Sequence, residues 1–226
     1  MSGRNDIVKY SWAMSHRSTE RAGLEPASGG LALVQDLLNT RAMGPQGTDL
    51  LASVDAARRW LHDVLNPPAV DPPAVDPQTI EQEALGQETP ELSWVDDLSD
   101  RDLRVLLELR SDLERLVPGA GTLDTGPALI RTTMTVSPAG ELALHPAGRG
   151  PGWFISAVWI QVFLAQQKGT WRRLKLCHNP PCGSAFYDRS KNNSGVWHDV
   201  RVCGNAANLR ASRARRRAAD HQSPAR

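Results

Sequence analysis

Residues 177–203 read CHNPPCGSAFYDRSKNNSGVWHDVRVC, and all three cysteines of the chain lie inside this stretch. Four residues separate Cys177 from Cys182, four separate His198 from Cys203, and fifteen lie between the two pairs. Two short knuckles joined by a loop of that length can bring four soft donors round one tetrahedral zinc ion. Thiolate sulfur and neutral imidazole nitrogen are the donors Zn²⁺ prefers, and close spacing lets one tight turn aim two of them at the same ion. Turn residues stand where the knuckles need them: Asn179-Pro180-Pro181 before Cys182, Gly183 after it, and Gly204 after Cys203. The spacing therefore predicts a structural zinc held by Cys177, Cys182, His198 and Cys203. His178 is a competing nitrogen donor, but its place beside Cys177 is expected to turn its ring away from the metal. Three ordinary buried cysteines are the plainer alternative; they leave unexplained why no cysteine occurs elsewhere. An odd cysteine count and no mark of secretion speak against a disulfide.

The metal stretch runs straight into Gly204-Asn205 and then AANLRASRARRRAA. Asn205 is a good N-cap, and Ala and Arg are strong helix formers. Arg210, Arg213 and Arg217 share one helical face at spacings of three and four, and Arg215 and Arg216 widen the basic surface. A metal-fixed turn that delivers an arginine helix suits the phosphates of a nucleic acid. These five arginines and Lys191 are the candidate contacts. Lys191, Asn192 and Asn193 in the finger loop are also candidates for reaching base edges. The bland alternative is a tail that only solubilises.

The charge distribution fits a division of labour. Residues 171–226 carry twelve Lys/Arg and three Asp/Glu, a net +9, whereas residues 1–170 carry fourteen and twenty-two, a net −8. An acidic body with a basic tail suggests two jobs, the tail meeting a polyanion.

With Cys177 and Cys182 upstream, the aromatic-Asp-x-Ser stretch from Phe186 to Ser190, and Trp197 before the third ligand, Cys203-Gly204-Asn205 resembles the CGNR zinc finger. That family occurs in bacterial proteins regarded as stress-induced transcriptional regulators. The chain departs from its pattern twice. His198 stands where the family usually has a third cysteine, which keeps a competent ligand. Ala206 stands where the family has the arginine of its name, which puts any function resting on that arginine in doubt. Upstream, the order LLNTR … DLLASVDAARRWL is similar to the opening of the ABATE domain, which commonly precedes the CGNR finger. Asn39 and Arg41 match that opening, and the resemblance makes them candidate ligand-binding residues; helix termination and surface solvation are the simpler roles.

The expected fold is mainly α with a small β-hairpin (α+β): a helical N-terminal domain, a small zinc-finger module and a basic C-terminal helix. Residues 1–28 show no sustained apolar period and are expected to form a flexible extension. The ABATE-like domain should span 29–170, the finger and basic helix 171–220, and a disordered tail 221–226. Helices are expected from Leu31, from Val54 behind a Ser53 cap, and over Ser99–Val117 behind a Ser99/Asp102 cap that approximates a capping box. Thr79–Leu85 is expected as a further short helix. The twice-repeated PPAVD at 67–76 is too rich in proline for helix or central strand and should be an exposed extended connection. Thr132, Thr133, Thr135 and Val136, the turn at 137–140 and Glu141–Leu144 should form a hairpin. WFISAVWIQVFL at 153–164 is apolar almost all round. It is too short to span a membrane and should be the buried central helix, with Trp153, Trp159 and Phe163 in the core.

No Gly-rich phosphate loop, G-x-S-x-G or HExxH motif is present. Four protein ligands also close a zinc site, where catalytic zinc keeps an open position. The expectation is a non-enzymatic, cytoplasmic DNA-binding regulator. In it the finger and arginine helix hold DNA, while the N-terminal domain senses a small molecule or a protein. The alternative is an RNA- or protein-binding module whose zinc is purely structural.

Overall fold

The computed structural model describes residues 17–44, 47–65, 93–118 and 129–222. The PPAVD repeat and the helix expected at 79–85 lie outside these residues, as do residues 1–16 and 223–226. The elements in chain order are α1 (Arg17–Glu20), α2 (Leu31–Leu38), α3 (Val54–Leu65), α4 (Ser93–Asp96) and α5 (Asp100–Leu116). Strands β1 (Thr132–Val136) and β2 (Leu142–Pro146) follow, then α6 (Pro151–Gln167), a 3₁₀ turn (Trp171–Arg173), β3 (Leu174–Leu176) and β4 (Ala185–Tyr187). A π-helical turn (Val200–Gly204) leads into α7 (Asn205–Gln222). The described residues are thus mainly helical, with two small antiparallel sheets among them.

Helix α2 is the centre of the core, and every one of its eight residues is buried. Gly30 at its start lets α6 approach closely, because a side chain there would overlap Gln161. Leu33, Leu37 and Leu38 pack with Leu61, Leu106, Leu113 and Phe154, all almost wholly buried. Trp60 meets Phe154 edge-on, at 5.8 Å between ring centroids and 87° between planes. The Trp60 indole N–H needs a partner once buried, and it donates to Asp36 Oδ2 at 3.0 Å. Burial pushes the Asp36 carboxyl above the usual carboxylate range, against the hydrogen bonds from Trp60 and Thr19.

Helix α5 opens on the anticipated cap. The Ser99 hydroxyl accepts from Asp102 N, and Asp102 Oδ2 accepts from Ser99 N, so two orphan donors are satisfied reciprocally. Leu106, Leu109 and Leu113 form its buried stripe. Ser53 caps α3 by accepting from Ala56 N at 3.2 Å.

The structure corrects several expectations. Residues 17–28 are not a loose extension. The Arg21 guanidinium donates to the carbonyls of Asn39, Thr40, Arg41 and Thr48 at 2.8–3.0 Å. It thereby fastens the stretch to the loop that follows α2. Ala27 N donates to Gln35 Oε1 at 2.6 Å, which fixes the following turn. At the other end, α7 continues through His221 and Gln222, into the expected tail.

The central helix is not buried all round either. Phe163 is 48% exposed, and Trp153 and Trp159 are half-buried. The β1–β2 hairpin covers that side of α6 only in part, tied to it through Ser156. Its hydroxyl donates to Arg131 O at 2.6 Å and accepts from Ala147 N at 3.1 Å.

The hairpin itself forms as expected, with Thr132 opposite Pro146 and Val136 opposite Leu142. The second sheet was not anticipated, since three-residue strands carry too little period to be seen. It also blurs the expected boundary at residue 170. Trp171, Leu174 and Ala185 belong to the same buried cluster as α2 and α6.

Candidate metal centre and nucleic-acid interface

Sheet β3–β4 delivers the first knuckle. The ladder continues past β3 with Cys177 N donating to Ser184 O at 2.9 Å. Between them Asn179-Pro180-Pro181-Cys182 turns back on itself, with Cys182 N and Gly183 N both donating to Asn179 O. Gly183 takes φ 62°, a left-handed conformation that glycine adopts without strain.

The loop after β4 is organised by Asp188. Its carboxylate accepts from Ser190 N, from Gly195 N and from Lys175 Nζ at 2.7–2.9 Å. Lys175 Nζ also donates to the carbonyls of Asn193 and Gly195. Burial raises the Asp188 carboxyl, but these bonds outweigh it and hold the group far below the usual range.

The second knuckle is built by Asp199. Its side chain accepts from Val202 N, and its carbonyl accepts from Cys203 N and Gly204 N. Gly204 packs so closely on Trp197 and Val200 that a Cβ would sit 3.3–3.4 Å from both.

These turns bring together the predicted donors. One ligand atom from each of Cys177, Cys182, His198 and Cys203 lies within 4.8 Å of all the others. His198 Nδ1 is 3.3 Å from Cys182 Sγ and 3.6 Å from Cys203 Sγ. A tetrahedral zinc with Zn–S of about 2.3 Å and Zn–N of about 2.0 Å sets sulfur and nitrogen about 3.5 Å apart, so the cluster fits that ion.

Protonation states fit as well. Burial pushes the Cys177 thiol up to about 12, so a metal binding there must displace its proton. Burial lowers the basicity of His198, favouring the neutral imidazole that ligates. Asn179 Nδ2 donates to Cys203 Sγ at 3.1 Å, which supports thiolate charge there, and Ser184 Oγ lies 3.0 Å from Cys182 Sγ. Phe186, Trp197 and Leu24 shield the cluster. The exposed His178 is not part of it, as its spacing suggested.

Helix α7 leaves this centre directly. Arg213, Arg215, Arg216 and Arg217 are exposed, and none has an acidic partner among the described residues. Arg210 differs, because its guanidinium donates to Asn179 Oδ1. Asn179 therefore links the helix to the Cys203 sulfur, and Arg210 is a brace for α7.

A model of the CGNR zinc finger matches residues 173–216. A model of the ABATE domain, described as "Putative stress-induced transcription regulator", matches residues 31–158, more than half the chain. The chain belongs to the ABATE family. No curated protein matches it. The match to the CGNR finger and the Cys₃His cluster together are compatible with structural zinc in this ABATE protein.

Other candidate residues fall out unevenly. Lys191 and Asn192 are exposed at the finger loop. Asn193 is not free to read bases: it turns the loop with φ 50°, and its Nδ2 donates to Arg172 O at 3.0 Å. Asn39 is not available to a ligand. It is fully buried, donates to Ala185 O at 2.9 Å and accepts from Ala185 N at 2.8 Å. Gln35 Nε2 donates to the same carbonyl at 3.2 Å. The ABATE helix α2 thus pairs with β4 as a neighbouring strand would. Arg41 stays at the surface, paired with Glu114 at 3.2 Å.

The roles of Asn179, Ser184, Gln35 and the Lys175–Asp188 pair were not foreseen. Asn179 was visible only as a turn residue, Asp188 only as part of the aromatic-Asp-x-Ser stretch, and the others carry no local signal.

Proposed function

We propose that this ABATE protein is a DNA-binding transcriptional regulator, in which zinc fixes the turn that aims α7 at the phosphate backbone. The observation that carries the reading is the row Arg213, Arg215, Arg216 and Arg217, exposed and without an acidic partner among the described residues, on a helix that starts two residues after a ligand cysteine. Exposed guanidiniums in a segment of net charge +9 over residues 171–226 suit a polyanion better than water alone. Its family description points the same way. The N-terminal domain serves as the sensing part. The reading makes the protein a non-enzyme, and four protein donors, which would leave a zinc no open position for chemistry, support it. Among the described residues no helix is long and apolar enough to cross a membrane, and the reading places the protein in the bacterial cytoplasm with its DNA.

Exposed Val200, Val202 and Leu209 beside the finger favour a second reading, a protein-binding module stapled by zinc. Binding of labelled duplex DNA and of structured RNA over a salt series decides among these. Selection of bound fragments from a genomic DNA pool, with an arginine-depleted protein as control, then finds the target. Duplex binding lost in the control supports the regulator. Equal, weak binding of both nucleic acids by both proteins defeats it.

A further inference from the structure

A cavity of about 360 Å³ lies between the loop after α2 and helix α5, walled by Arg41, Asp49, Leu107, Arg110, Ser111 and Glu114. Its two arginines are held differently. Arg110 is nearly buried and bidentate on Asp49, at 2.8 and 2.9 Å, and also donates to Thr40 Oγ1. Burial raises the Asp49 carboxyl, but the Arg110 bonds prevail and hold it low, so this pair is a fixed charged wall. Arg41 meets Glu114 at a single 3.2 Å contact, with 41% and 25% of the two side chains exposed. A guanidinium has five N–H donors and a carboxylate about four acceptor sites, so this one contact leaves most of the pair's capacity unused, and both residues line the cavity.

The chemistry of that pair selects the ligand. A lone anion on Arg41 would sit beside the Glu114 carboxylate, and a lone cation on Glu114 would meet Arg41. A small molecule with both charges a few ångströms apart satisfies both residues and adds no net charge to the cavity. The Ser111 hydroxyl gives one more polar contact, and Leu107 gives an apolar wall. The volume lies within the range of small-molecule sites, about 300–1,000 Å³. We propose that this cavity binds a free α-amino acid, its carboxylate on Arg41, its ammonium on Glu114 and its side chain toward Leu107.

The site adjoins the metal centre. A Cβ at Gly183 would lie 3.7 Å from Arg41 Nη1. Gly44 N donates to Pro181 O at 3.1 Å, and Ser184 Oγ donates to Met43 Sδ at 3.1 Å. The loop 41–44 therefore bears on the knuckle that carries Cys182, and a ligand that draws Arg41 inward acts on that knuckle. That last step rests on the DNA-binding reading, whereas the site itself does not.

The test is calorimetric titration of the zinc-loaded full chain, without DNA, by each of the twenty common L-amino acids. Acetate and methylamine serve as single-charge probes. The expected result is saturable one-to-one binding of at least one amino acid and none of either probe. Affinity should fall at least tenfold in Arg41→Gln and in Glu114→Gln. Ser111→Tyr should abolish it by filling the cavity while leaving both charges in place. All three positions are at least partly exposed, and an unchanged circular dichroism melt confirms folding. No binding of any amino acid at millimolar concentration, acetate binding as tightly, or affinity unmoved by Ser111→Tyr would overturn the proposal. Because no DNA is present, failure of the DNA-binding reading leaves this result unaffected.

Discussion

The body of the protein and its last helix handle positive charge in opposite ways. In the body, the buried and half-buried cations are spent internally: Arg110 on Asp49, Arg21 on four carbonyls, Lys175 on Asp188 and two carbonyls. On α7, only Arg210 turns inward, and four arginines after it meet no carboxylate among the described residues. Both regions contain arginine in quantity, so composition alone does not separate them. What separates them is whether a folded neighbour offers an acceptor. A cation that the fold does not neutralise is left for a partner, and the Cys₃His cluster marks where one regime gives way to the other.

The strongest way to break the contrast is to remove the metal. Structural zinc contributes on the order of 10 kcal/mol to a small finger. Cys182→Ala/Cys203→Ala should lose its one zinc per chain in native mass spectrometry. Hydrogen exchange should then rise through 177–205, while α2, α5 and α6 keep their protection, because their core is built without the cluster.

A smaller break lies at the join of body and finger. Asn39→Ala strands the buried Ala185 N–H and leaves its carbonyl with Gln35 alone. The expected cost is about 2–3 kcal/mol, since an unsatisfied buried polar group costs about 1–3 kcal/mol and an acceptor bond is lost as well. A thermal melt should move down by several degrees.

The Asp188 hub gives a pH signature. Its folded pKa is depressed, so its stabilisation is complete above the unfolded value, about 3.9, and is lost as pH falls through the folded one. Asp188→Asn should therefore be less stable than the parent at neutral pH, with the gap closing below about pH 4. Denaturant midpoints against pH check this; a gap constant down to pH 2 would contradict it. Asp36 has the opposite sign, since burial raises its pKa and acid relieves that cost.

The smallest effect is expected from His198→Cys, which swaps one competent ligand for another. Zinc stoichiometry should stay at one per chain.

The readable parts of the sequence were those where chemistry repeats locally. Ligand spacing located the cluster, the capping box located α5, and runs of threonine located the hairpin. Residues that act across distance were not readable. Asn39 looked like a helix end because its partner, Ala185, is far along the chain and contributes only backbone. Arg21 sat in a stretch without apolar period, yet it fastens that stretch by hydrogen bonds rather than by burial. Arg210 shared a face with Arg213 and Arg217, and helical spacing could not show that Asn179 waits beside only the first of them. Phe163 sat in an apolar run, and the run did not reveal that the hairpin covers one side of it incompletely.

The central claim is that the four outward arginines of α7 carry the attraction to DNA. The measurement that tests it is the salt dependence of duplex binding by the zinc-loaded chain, compared with Arg213→Ala/Arg217→Ala. Four phosphate contacts at about 0.9 each give a slope of log affinity on log salt near −3.6. The account predicts that value for the parent, a slope flatter by about 2 for the variant, and a similar loss on every duplex sequence. Affinity and slope that stay unchanged in the variant would contradict it.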